Sequence, residues 1–152
     1  MRTPTLIAAT ARHVEALALV AAAHLLVERL GWDRARTIAD RLHRGTTSAH
    51  DRSDDLQPLD LAIAHSVERS VQRASRLIPN AQCAPRALAA RQMLNHRRIS
   101  ARLFVGLRLD PRPEAHAWLE LGDPQRPTML LARQGHTYQP VDALSSAQIR
   151  RL

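Results

Sequence analysis

Along the first hundred residues the hydrophobic positions recur with a helical period. Thr10 to Leu30 is apolar nearly all round, with Leu17, Val20, Leu25, Leu26 and Leu30 on adjoining faces, and Gly31 stands where a left-handed residue would end a helix. A shorter helix is predicted from Asp33, an N-cap type, through Ile38 and Leu42 to Gly45. Thr46 to Pro58 holds only Leu56 as a large apolar residue among turn formers and reads as a surface loop. Leu59, Ile63, Val67, Val71, Ala74 and Ile78 then make one helical stripe, stopped by Pro79, and Ala84 to Arg97 predicts a further helix with Leu88, Met93 and Leu94 inward. Beyond it the period falls to two. Leu103, Val105, Leu107 and Leu109 alternate with Arg102, Phe104, Gly106 and Arg108, which predicts a strand. Turn residues Asp110 to Pro113 lead to a second strand, Ala115 to Leu121, and residues 122–127 lead to a third, Thr128 to Arg133. Helices followed by an antiparallel meander predict an α+β fold. The expected organisation is one compact unit, with residues 1–58 a helical N-terminal region ending in a polar loop and residues 59–152 the core.

Composition narrows the functional classes. A chain of 152 residues, 45% apolar and 24% charged, has the size and balance of a single globular domain. Its 22 basic residues, all arginine, exceed the 14 acidic ones and give a net charge of +8, which favours anything acidic. Aromatic residues make up 3%, too few for a base-stacking platform, so no nucleic-acid partner is expected. The apolar run Val14 to Val27 is shorter than the roughly 20 residues that span a bilayer and contains Glu15 and His24. No small-residue cleavage site follows it, so the expectation is a buried helix in a cytoplasmic protein without a membrane span. The lone cysteine, Cys83, excludes an internal disulfide and a thiolate-clustered zinc site, and the histidines show no short ligand spacing. Neither a metal nor a cofactor is expected.

Cys83 follows the Pro79-Asn80-Ala81-Gln82 break and precedes a helix whose first turn holds Pro85, so it lies at or near an N-cap. Backbone N–H groups and the helix dipole stabilise a thiolate there, which suits a nucleophile, while a lone cysteine also serves as a small buried hydrophobe. On the second strand His116, Trp118 and Glu120 share one face, and Ala117, Leu119 and Leu121 the other. A helix-start thiol facing a strand histidine is an arrangement found in papain-like and transglutaminase-like enzymes; a surface histidine at a strand end is the alternative.

Four blocks carry a resemblance: Gln82-Cys83-Ala84-Pro85-Arg86-Ala87-Leu88-Ala89; Asn95-His96-Arg97-Arg98-Ile99-Ser100-Ala101-Arg102-Leu103-Phe104-Val105-Gly106-Leu107-Arg108; Ala115-His116-Ala117-Trp118-Leu119-Glu120; and Tyr138-Gln139-Pro140-Val141. In order and spacing they closely resemble the cysteine leader peptidases of lasso-peptide biosynthesis, a branch of the transglutaminase-like superfamily. The similarity covers about Glu68 to Leu144, and Glu15 to Arg44 is similar to the family's less distinctive N-terminal part. The resemblance implies that Cys83 is the nucleophile, His116 the general base, and the reaction removal of the leader from a ribosomally made precursor peptide. Beside the Cys83 N–H, the Gln82 side chain is a candidate oxyanion contact, with plain loop polarity as its alternative, and Trp118, on the wall it shares with His116, is a candidate for the substrate pocket. Residues 1–58 lack the strands of a leader-recognition module. A separate small recognition protein and an ATP-dependent lasso cyclase are therefore expected as partners of the peptidase, alongside the precursor.

The family's orienting Asp, on the strand after the histidine's, is missing from Thr128-Met129-Leu130-Leu131-Ala132-Arg133. If Leu121 pairs with Thr128, counting outward sets Arg133 opposite His116 and Leu131 diagonal to it, roughly where the acid would be. Asp123 lies about 20 Å along the strand and cannot substitute. Three possibilities stand: a Cys-His dyad, Gln134 reaching back through a bulge, or a catalytically weak domain. Competing functions are acyl transfer to an amine, as in a transglutaminase, and a non-catalytic Arg-rich module that binds peptide or nucleic acid.

Overall fold

The computed structural model describes residues 3–46, 56–108, 112–133 and 138–140. Four helices come first: α1 (Thr3–Leu30), α2 (Trp32–Thr46), α3 (Pro58–Ser75) and α4 (Cys83–His96). Four strands follow, β1 (Arg102–Arg108), β2 (Glu114–Leu121), β3 (Thr128–Leu130) and β4 (Gln139–Pro140), in the antiparallel order β3-β2-β1-β4. The fold class is α+β, helices first and then an antiparallel sheet.

Gly31 has φ +79° and ends α1 with its N–H on the Val27 carbonyl, as its position implied. The helix starts at Thr3 rather than Thr10, and α2 starts at Trp32, which puts Asp33 inside its first turn, at the positive end of the dipole. The window Ala8–Leu30 is long and apolar enough to cross a membrane by length and composition only, a test that core helices of soluble proteins also pass, and 17% of it is buried. In the fold α1 contributes Ala16 and Val20 to the core and is tied by polar contacts, Arg12 to Ser66 of α3 and Glu15 to Arg97 just after α4.

Pro58 opens α3 at a position where its missing N–H costs nothing, and the Gln57 N–H donates to Asp60 at 3.1 Å. The helix ends at Ser75, short of the expected Ile78. Leu77 and Ile78 make tighter turn-type bonds to Ala74 and Ser75, because the residue before Pro79 is steered away from helical dihedrals. Val67, Val71 and Ala74 of α3 meet Ala16 and Val20 of α1, Met93 and Leu94 of α4, Leu119 and Leu121 of β2, and Leu130 of β3 in one buried cluster. That cluster joins residues from both sides of position 58.

The sheet register pairs Leu121 with Thr128 and Gly106 with His116. Two strand expectations are corrected. The third strand stops at Leu130 instead of running to Arg133, because Leu131 adopts φ +62° and turns the chain out of the ladder. A fourth strand, too short to show a period of two, adds Gln139–Pro140 to the far edge of β1.

Candidate active site

The break before α4 places Cys83. Asn80 takes φ +61°, Gln82 is extended at φ −79° and ψ −163° as the N-cap, and Arg86 holds the Ala81 carbonyl through its Nε at 3.0 Å. Cys83 is thus the first residue of α4 and half-buried. On the other side of the sulfur is the edge of β2. Sγ lies 3.9 Å from the Ala115 carbonyl. That stretch of edge is open because β3 pairs only with Leu119 to Leu121. A third strand running to Arg133 would have covered the edge that the thiol occupies.

His116 comes from the same stretch of β2, 7% exposed, in an aromatic stack. Its ring lies 6.4 Å from Trp118, interplanar 14°, and 5.1 Å from Tyr138, while Trp118 also stacks on Phe104 across the β1 pair. Opposite His116 stands Gly106, where a Cβ would sit 2.8 Å from both the Trp118 ring and the Tyr138 Cβ, so only glycine leaves room for the rings. His116 Nε2 is 2.8 Å from the Leu131 carbonyl and must be the donor there, since a carbonyl can only accept. With Nε2 engaged there, Nδ1 is the ring nitrogen left for the Cys83 thiol, the group that most raises His116. A thiol at a helix start, an imidazole on the adjacent strand and a carbonyl acceptor behind the imidazole are in place. Over residues 17–141 the sequence matches the transglutaminase-like superfamily.

The chain belongs to that superfamily. No curated protein and no solved structure gives a match. Transglutaminase-like domains are typically cysteine proteases or acyltransferases. The electrostatics here fit such chemistry. Burial pushes the Cys83 thiol up, but the hydrogen bond with His116, the Ala117 and Ala84 N–H groups and the attraction of the imidazolium together bring it below its ordinary value. His116 is raised, first by its bond to Cys83 against the opposing effect of burial, then by the Leu131 carbonyl, with Arg133 acting in the other direction. The pair is therefore disposed toward thiolate and imidazolium.

Of the other expected site residues, Gln82 is exposed beside Cys83 and makes no capping bond with its side chain. Trp118 is 5% exposed with its indole N–H on Glu120 at 3.1 Å, so in this transglutaminase-like site it forms the wall against His116 rather than an open pocket surface. Gln134 lies outside the described residues. Among the described residues no three His, Cys, Asp or Glu side chains converge as a metal site requires. Sequence reasoning missed the Leu131 carbonyl, since a main-chain oxygen has no residue-type signature. It also gave no role to Glu68, whose carboxylate meets the Leu131 N–H at 2.7 Å.

Proposed function

We propose that this chain is a cysteine peptidase that removes the leader from a lasso-peptide precursor. The observation that carries the peptidase reading is the Cys83 sulfur against His116, with the far nitrogen of the ring tied to the Leu131 carbonyl. The choice of substrate rests on the Gln-Cys-Ala-Pro-Arg, Ala-Arg-Leu-Phe-Val-Gly and His-Ala-Trp blocks, which resemble the lasso leader peptidases.

In this reading the Cys83 thiolate attacks the scissile carbonyl and forms a tetrahedral adduct, whose oxyanion is met by the Cys83 N–H and the Gln82 side chain. The His116 imidazolium gives its Nδ1 proton to the departing amine of the core peptide, leaving a thioester with the leader. Neutral His116 then takes a proton from water, whose oxygen attacks the thioester carbon; the leader leaves as a carboxylate and the thiol is restored. The Leu131 carbonyl keeps Nε2 protonated throughout, fixing the tautomer, and so takes the place of the missing Asp. A separate small protein presents the leader, and an ATP-dependent cyclase closes the ring on the released core.

The test is incubation of the chain with a lasso precursor and its recognition protein, followed by mass analysis. Wild-type protein should yield a leader with a free carboxylate, and folded Cys83→Ala should yield none, a loss of at least about 10³-fold. A new amide on the leader would instead establish acyl transfer, and undiminished release by Cys83→Ala would remove the cysteine from the reaction.

A further inference from the structure

The stop of β3 is not a mere fraying of a strand end. Leu131 is a leucine in left-handed backbone, a conformation that L residues with a side chain disfavour and that persists only when the surroundings hold it. Its two backbone groups are both taken. The N–H donates to Oε1 of Glu68 at 2.7 Å, and the carbonyl accepts from Nε2 of His116 at 2.8 Å. Glu68 sits on α3 between the buried Val67 and Val71, so its carboxylate is mounted on a helix fixed by the core. Its side chain is 21% exposed, and the second oxygen faces His65 Nδ1 at 3.5 Å.

We infer that Glu68 is a positioning residue for the Cys83–His116 pair: it holds Leu131 in the left-handed turn that aims the carbonyl at the imidazole. This rests on the reading of Cys83 and His116 as nucleophile and base. The sequence lacks an acid on the strand, and Glu68 supplies negative charge one residue removed, through a charge-assisted bond to the N–H of the residue whose carbonyl meets the ring. Loss of that bond frees Leu131 to relax toward ordinary extended dihedrals. The carbonyl would then turn from Nε2, the tautomer would no longer be fixed, and the imidazolium that stabilises the thiolate would be weakened.

Several other groups face this pair and bear on its titration. Cys83 comes from α4, Arg133 lies beyond β3, and Tyr138 precedes β4. His65 is reached through Glu68, and Glu114, on the histidine's own strand, pairs with Arg108 and Arg133. Only Glu68 engages the Leu131 N–H among the described residues.

Because Cys83 is the sole thiol, iodoacetamide labelling of the full chain as a function of pH reads this site without any substrate. His116→Ala should move the labelling midpoint upward and serves as the reference. Glu68→Ala should move it upward by a substantial part of that shift and slow leader release about tenfold or more, while Glu68→Gln, which still accepts the N–H, should restore most of both. Should Glu68→Ala fail to fold, Glu68→Asp keeps the charge on α3 but withdraws it from Leu131 and should give the same upward shift. A wild-type labelling profile in folded Glu68→Ala or Glu68→Asp overturns the inference and leaves the Cys-His reading standing. An unmoved profile in His116→Ala overturns the Cys-His reading itself.

Discussion

At Leu131 the acceptor for the imidazole is main chain, and the leucine side chain packs instead against the central apolar cluster. The sequence suggests that an apolar residue there leaves the histidine without an acceptor, and that an Asp would repair it. The left-handed turn changes that expectation, because it presents the carbonyl to Nε2 while the side chain points into packing. Leu131→Asp should therefore not raise turnover. It should lower stability by about 2 kcal/mol or more, through lost apolar contact and a carboxylate set against the core. Urea unfolding with leader release checks this, and a faster, fully stable variant would mean that the side chain at 131 faces the ring. Cys83 and His116 were legible as a pair because helix starts and strand parity are written in local residue types. The Leu131 carbonyl was not, since nothing in a leucine announces positive φ.

At the scale of elements, the site depends on one strand ending early and on another lacking a side chain. The edge of β2 beside Ala115 and Ala117 is free for Cys83 because β3 stops at Leu130, and no Gly or Pro in residues 128–133 marked that stop. Strand parity on β2 was readable from alternation, whereas β4, at two residues, was too short to alternate. Gly106 on β1 faces His116 and lies under the Trp118 and Tyr138 rings. A methyl group there would meet atoms at 2.8 Å that belong to a rigid indole and to a Cβ next to backbone, so the rings and not a flexible tip must move. Gly106→Ala should cost about 1–3 kcal/mol, typical of overpacking, and slow iodoacetamide labelling of Cys83 by shifting the histidine. Denaturant titration and labelling rate test the two effects separately; wild-type values for both would show that the stack yields freely.

Across the whole molecule basic groups outnumber acidic ones, 22 to 14, and three of the carboxylates tie helices to distant elements. Asp40 joins α2 to Arg91 of α4, Glu68 joins α3 to the end of β3, and Glu15 joins α1 to His96 and Arg97 at the end of α4. These long-range ties were invisible in the sequence, where the apolar stripes predicted four helices but not which faces meet. Glu15 accepts from Arg97 Nη2 at 2.6 Å and faces His96 Nδ1 at 2.9 Å. Burial acts to raise its carboxyl, yet the hydrogen bonds from Arg97 and His96 and their charges hold it below the ordinary carboxylate value. A carboxyl depressed in the folded chain contributes stability that is present above its unfolded value and disappears as pH falls through the folded one. Glu15→Gln should therefore be less stable than the wild type at neutral pH, by no more than about 1 kcal/mol for a partly exposed pair. The gap should close as the pH drops below the ordinary carboxylate range, because the wild type then carries a neutral Glu15 as well. Urea unfolding of both proteins over a descending pH series measures the gap directly, and two curves that stay parallel down to the acid limit would mean that Glu15 titrates alike in the folded and unfolded chain.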